Sequence, residues 1–315
     1  MIKITQKLIL IFLMLVSMCS QTGIKVEKKV SLELPQSEKY SHPVFNPAGN
    51  QILLTSPGYK GLWLYDLEDR NLTQLTELRG AGYKPAFSED GRMIAFRYTK
   101  FINKRRQSSL AILNTATNQI DTVLKNKRNL SEPLKFKNNK IVYFLDDSAF
   151  VYDLTKDQTF PYLDHKNGFS EPVLLTHNQK LVLLENGMKD VLDPVKNGHY
   201  IWTSISPDNH KLLFTSTGKG TYVTDKTGAI ISRIDTASAP KWSPDGQWIL
   251  FTKQKDDGHR ITSSDIFVKS ADGKYEFQLT ATPDKIELHP AWSPTGDKIV
   301  YETDNHEIEI VQLAK

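Results

Sequence analysis

Apolar residues come in short bursts along this chain. Ile52-Leu53-Leu54, Ile94-Ala95-Phe96, Ile141-Val142-Tyr143-Phe144, Leu181-Val182-Leu183-Leu184, Leu212-Leu213-Phe214, Ile249-Leu250-Phe251 and Ile299-Val300-Tyr301 are each bounded by polar turn residues. Runs of this length, without helical spacing, predict β-strands buried on both faces. A proline-opened phrase precedes each burst. Its sharpest copy is Pro240-Lys241-Trp242-Ser243-Pro244-Asp245-Gly246, with relatives starting at Pro43, Pro85, Pro133, Pro172, Thr203 and Pro290. These starts lie 31 to 50 residues apart, the period of a propeller blade. Later strands follow in most units: Leu62–Asp66, Leu110–Leu113, Phe150–Asp153, Tyr222–Asp225, Asp265–Val268 and Ile308–Val311. Fourth strands end at Thr76, Leu124 and Thr280.

The prediction is an all-β chain forming one β-propeller of seven four-stranded blades. Six is the alternative, if the short fourth unit merges with a neighbour. The last unit holds three strands before Lys315, and an open edge there invites pairing. Val30, Leu32 and Leu34 alternate with Ser31 and Glu33, so a strand around Val30 to Leu34 is expected to complete the last blade and close the ring.

The phrase has a physical role at each position. Proline opens a strand where its missing N–H costs no ladder bond, and the residue before it is expected to be extended. Trp242, Trp292, Phe45 and Phe87 fill space between blades. Ser-Pro-Asp-Gly is a tight turn, with Asp bonding backbone and Gly taking a positive φ. Ser, Asp and Trp are therefore structural here, not catalytic. The pattern resembles the WD40-like repeats of TolB-type β-propellers over nearly the whole chain from Pro43, most sharply at 85–96, 240–252 and 290–301. TolB itself is expected to carry a separate α/β domain ahead of its propeller, and Gln21–Pro43 leaves no room for one. Such repeats specify a fold far better than a function.

Residues 1–19 read as a targeting segment. Lys3 and Lys7 precede the nine-residue apolar run Leu8–Val16, too short to span a bilayer. Cys19, the only cysteine, follows. The stretch resembles a bacterial lipoprotein signal, which implies lipidation at Cys19; Met18 departs from the small residue usual there, and an ordinary cleaved signal peptide is the alternative. The divisions are then 1–19 signal, 20–41 an N-terminal segment with the closing strand, and 42–315 the propeller. A cysteine-free body suits an exported protein and excludes disulfides and zinc–thiolate sites. Net charge is +4, with both signs interspersed, so no nucleic-acid partner is expected. The expected state is a monomer in the periplasm or on the outer membrane, touching membrane only through its lipid anchor.

No catalytic signature is present. There is no Gly-x-Ser-x-Gly elbow. His306-Glu307 lacks a following histidine, and Gly218-Lys219-Gly220 lacks the upstream glycine of a P-loop. Asp256-Asp257-Gly258-His259 reads as a solvated loop, as do the surroundings of His165, His177 and His210. Tyr200 and Trp202 read as inter-blade aromatics before a sugar-stacking surface.

The informative position is the one just before each inner strand's proline, because in a propeller these positions ring one mouth of the channel. They are His42, Lys84, Glu132, Glu171, Trp202, Ala239 and His289. Ring closure makes His42 and His289 neighbours, able to hold a divalent metal with Glu132 or Glu171. The placement resembles that of oligogalacturonate lyases, propellers whose metal-binding histidines lie near the channel; the likeness reaches His42 and His289 only. With no catalytic residue identified, the expected function is a non-enzymatic binding or scaffold protein for an envelope protein or glycan, with no obligate cofactor. The alternative is a metal-dependent carbohydrate-active enzyme using the channel. A regulatory propeller of a prolyl-oligopeptidase-like enzyme is the third expectation, weakened by the missing hydrolase domain.

Overall fold

The computed structural model describes residues 23–164 and 167–314; the targeting segment, Cys19, His165 and Lys315 lie outside them. The chain forms seven antiparallel sheets, one per repeat. The first blade has Ser41–Phe45 innermost, then Gln51–Ser56, Lys60–Asp66 and Leu72–Arg79. The second, third, fifth and sixth repeat this four-stranded order. The fourth has three strands, Val173–His177, Lys180–Glu185 and Met188–Leu192. Its unit is the shortest, and after Leu192 the chain turns at once through Asp193-Pro194 toward the fifth inner strand at Tyr200, leaving no length for a fourth.

The core is distributed as seven apolar layers, one between each pair of neighbouring blades. Leu250, Ile266 and Val268 of the sixth blade meet Trp292, Ile299, Tyr301 and Val311 of the seventh. Leu213, Val223 and Ile234 of the fifth meet Ile249, Phe251 and Trp242 of the sixth. Between the seventh and the first, Ala291, Val300 and Ile308 pack on Phe45, Ile52, Leu54, Trp63 and Tyr65. The second strands are apolar on both faces because each is sandwiched between two such layers.

The turns follow the expected chemistry. Gln247 N–H donates to the Asp245 carboxylate at 3.0 Å, and Trp248 N–H donates to Ser243 Oγ at 2.9 Å. Gly246 has φ 67°, which side chains disfavour. The same Ser–Asp arrangement recurs at Ser88–Asp90 and Ser206–Asp208.

The ring is closed by Lys25–Ser31, which pairs antiparallel with Ile308–Ala314 and forms the outer strand of the last blade. Closure is as expected, but the strand lies earlier than the Val30–Leu34 alternation suggests. Leu32 and Leu34 instead run on past it and pack, half-buried, against the first blade's layer. One electrostatic clasp holds the closing strand. The fully buried Glu309 carboxylate takes Lys29 Nζ at 2.5 Å and Lys285 Nζ at 2.8 Å. Burial pushes the Glu309 carboxyl up, but the hydrogen bonds from Lys285 and Lys29 outweigh it and hold it below its usual 4.5. A lowered carboxyl contributes stability at neutral pH that is lost as pH falls below about 4.5. Glu309→Gln is expected to lower unfolding free energy by about 1–3 kcal/mol at pH 7, discounted because both lysines are partly exposed. Urea denaturation at pH 7 and pH 4 should show that loss shrinking at the lower pH; an equal loss at both would contradict the clasp.

Candidate functional site

Four of the six residues that precede an inner-strand proline are not extended. His42, Lys84, Ala239 and His289 have φ of 53°, 48°, 50° and 50°, and Trp202, at the equivalent place, has 51°. The strand ladder explains why. Ser41 pairs with Thr55 and Val44 with Leu53, so His42 and Pro43 together oppose Leu54. The same slip occurs at 238–241, 288–291 and 201–204. Each is a β-bulge: one extra residue is left out of the ladder, in the left-handed region, and the strand bends there. Local preference against this conformation before proline yields to the repeated bulge. Glu132 and Glu171 have no positive φ, in keeping with the degenerate phrases of the third and fourth units.

Strands in each blade alternate in direction, so the starts of the inner strands share one face with the hairpins joining second and third strands. On that face His42 and His289 come together across the closure seam. Their rings stack with centroids 3.8 Å apart. Glu302, from the second strand of the last blade, Lys298–Thr303, completes the cluster. Its carboxylate hydrogen-bonds His289 Nδ1 and accepts the His42 backbone N–H at 3.1 Å. Ligand atoms of His42, His289 and Glu302 all lie within 4.8 Å of one another. His42 Nδ1 is buried and has no hydrogen-bond partner among the described residues. Burial, the neighbouring His289 and Lys241 lower the His42 imidazole to about 3, so it is neutral, with its lone pair free, at any physiological pH. Two imidazoles and a carboxylate on a shared face suit a divalent first-row metal with open positions.

The other expected mouth residues have separate surroundings. Glu132 pairs with Lys84 at 3.4 Å and Arg97 at 3.8 Å. Glu171 pairs with Lys137 at 3.2 Å. Neither carboxylate joins the histidines. Trp202 is 38% exposed, so it is not an inter-blade aromatic as expected, whereas Tyr200 is buried and gives its hydroxyl to Asp193 at 2.6 Å. Asp256–His259 forms the exposed tip of the hairpin joining Trp248–Asp256 and Ile261–Ser270.

A row of rings continues from the histidines. Tyr59, in the hairpin after Gln51–Ser56, has its ring 4.6 Å from His42 and 5.0 Å from Tyr83. The Arg97 guanidinium sits 5.5 Å over Tyr83. Sequence reading misses Glu302 and Arg97, yet a signal exists. Aligning the second strands puts both at the position held by Thr55, Thr215 and Thr252 elsewhere. In this repeat a charge replacing that threonine marks a side chain directed to the mouth.

No family model matches the chain. Over 115 residues it is 32% identical to the protein TolB homolog of Chlorobium chlorochromatii (strain CaD3), covering 33% of this chain and about a quarter (25%) of that protein. Among solved structures it is similar to an oligogalacturonate lyase in complex with manganese, at 14% identity and a TM-score of 0.62, covering 88% of this chain and 90% of that one. It is also similar to TolB from Acinetobacter baumannii, at 16% identity and a TM-score of 0.51, covering 82% of this chain and 58% of that one. At such identities the structural likeness speaks for the fold.

Lys241, two residues beyond the sixth bulge, faces the same cluster; burial lowers its ammonium from 10.5 to about 8, against the attraction of Glu302. Between those values the unfolded chain holds a proton that the folded one lacks, so stability should rise with pH across about 8 to 10.5. In chelator-treated protein we expect a gain of about 1–3 kcal/mol over that window, absent in Lys241→Met, by urea denaturation. A slope unchanged in Lys241→Met would refute the assignment. Repeat phrase, blade order and the TolB homolog match agree: the chain is a seven-bladed β-propeller built from TolB-like repeats.

Proposed function

We propose that the protein is an exported binding protein of the cell envelope that holds a divalent metal at its channel mouth and takes its ligand there. The observation that carries this is the convergence of His42, His289 and Glu302 with a buried, unpartnered His42 Nδ1. An orphaned ring nitrogen in the wall of a site costs free energy unless something binds it. The metal would supply a positive charge with open coordination positions for an oxygen ligand. His289 and Glu302 hydrogen-bond each other, which orients both toward the site a metal would occupy. A likeness of fold to a manganese-bound lyase supports the choice of a first-row divalent ion. The basic and apolar stretch from Lys3 to Val16 supports export, and Cys19 supports a lipid anchor.

A metal-assisted carbohydrate-active enzyme is the second reading, and Lys241 favours it. An amine lowered to about 8 is partly neutral near physiological pH and suited to take a proton.

Purified protein is expected to bind about one equivalent of manganese or zinc, read by metal analysis after dialysis. His42→Ala and His289→Ala should each weaken binding at least about tenfold, the scale of a lost ligand. Retention of metal by both variants, or none in the unmutated chain, overturns the proposal. If acidic oligosaccharides are cleaved by the unmutated chain but not by Lys241→Met, the enzyme reading replaces simple binding.

A further inference from the structure

The second blade carries a hairpin that stands above the mouth face. Its strands, Met93–Ile102 and Arg105–Asn114, have ten residues each, against six and seven in the first blade's Gln51–Ser56 and Lys60–Asp66. Ile102 is five residues past Arg97, whereas Ser56 is one past the equivalent Thr55. The difference lifts the tip by roughly 13 Å. The tip is well defined. Ile102 pairs with Arg105, and Asn103 and Lys104 between them have φ of 50° and 62°, the two-residue turn that matches strand twist. Phe101 pairs with Arg106. Phe101 is 63% exposed and Ile102 40%.

The charge around this tip has one sign. Lys100, Lys104, Arg105 and Arg106 on the hairpin are exposed, and so are Lys125, Lys127 and Arg128 at and just past the end of the neighbouring strand Ile120–Lys127. Lys127 pairs with Ser108 at the base of the projecting part. None of the seven forms an ion pair among the described residues. Asp121 is the one carboxylate between Thr99 and Asn129, and it lies toward the other end of its strand, opposite Ile112. The sixth blade's long hairpin differs. Its tip, residues 256–260, holds two aspartates, one of them 3.8 Å from Arg260, and no apolar side chain. Projection alone therefore does not produce the pattern.

An apolar tip ringed by unmatched cations suits an anionic lipid surface: the aromatic ring sits at headgroup level while lysine and arginine reach the phosphates. A protein partner fits less well. The tip is narrow and convex, and a stable protein contact buries about 800 Å² on each side. A fluid bilayer closes around such a tip without a preformed socket. We propose that the second-blade hairpin docks the protein on an anionic phospholipid membrane, with Phe101 and Ile102 entering the headgroup layer. The sequence alone leads one to expect membrane contact through a lipid at Cys19; the hairpin adds a contact made by the protein itself. It is independent of such a lipid, because the described chain begins on the face opposite the mouth, where Lys25 pairs with Ala314. It is independent of the metal cluster too.

Vesicle flotation tests it with residues 20–315, which hold every described residue and lack both Leu8–Val16 and Cys19. The vesicles are phosphatidylcholine alone, or phosphatidylcholine mixed with anionic phosphatidylglycerol. Expected is binding to the mixed vesicles, little to the neutral ones, and release at high salt. Lys104→Glu combined with Arg105→Glu should lower the partition at least about tenfold, since each cation at an anionic surface is worth about fivefold. Phe101→Ser should weaken it about tenfold through lost apolar burial, with its salt dependence kept. All three positions lie on a solvated tip, so circular dichroism melts should match the unmutated chain. In Phe101→Trp, the emission added over that of the unmutated chain should shift to the blue on mixed vesicles as the ring leaves water. No binding to mixed vesicles, equal binding to both kinds, a partition indifferent to the charge reversals, or no blue shift overturns the proposal. Soluble polyglutamate bound as tightly as the mixed vesicles, with no blue shift, overturns it in favour of an acidic polypeptide partner.

Discussion

A blade of a propeller cannot bury its own faces. Each four-stranded sheet is a thin wall, apolar on both sides, and its core is whatever the next wall provides. In this chain that constraint produces seven apolar layers between blades, and six of them join neighbours in sequence. The seventh, between the first and last blades, joins parts of the chain about 250 residues apart. It forms only when the ring closes, so its loop-closure entropy must be met by contacts made last. The Lys25–Ser31 strand and the Glu309 clasp lie in the last blade beside that seam.

The candidate site sits on the same seam. His42 belongs to the first blade, His289 and Glu302 to the last. Their proximity is therefore a consequence of closure, and a ligand bridging them would in turn favour the closed ring. The bulges prepare this arrangement. Each takes one residue out of the inner-strand ladder and turns it to the mouth, at the cost of a left-handed backbone. Seven repeats supply seven mouth positions, and the sequence is free to place chemistry at some and leave others, such as Ala239, silent.

The fold was legible because turn chemistry is local. Ser243, Pro244, Asp245 and Gly246 act within a few residues of one another, and their copies mark the period. The pairing of His42 with His289 was legible too, since it follows from ring closure and repeat register. The bulge was not, because the restriction that proline places on its neighbour points the other way. Glu302 and Arg97 were missed for a different reason. Each sits at the end of an apolar strand, where a charge looks like the strand's solvated edge, and only comparison with Thr55, Thr215 and Thr252 sets it apart. Trp202 was placed at the mouth but also read as inter-blade packing, because an aromatic in a repeat is packing at most positions; at its bulge it is exposed instead.

Ring closure and the ligand site are thus one structure. Amide hydrogen exchange with and without manganese tests it directly. Slowed exchange is expected in Ser41–Phe45 and Glu287–Trp292, the inner strands either side of the seam, with the third and fourth blades little changed. Slowing spread evenly around the ring, or centred away from the seam, would contradict it.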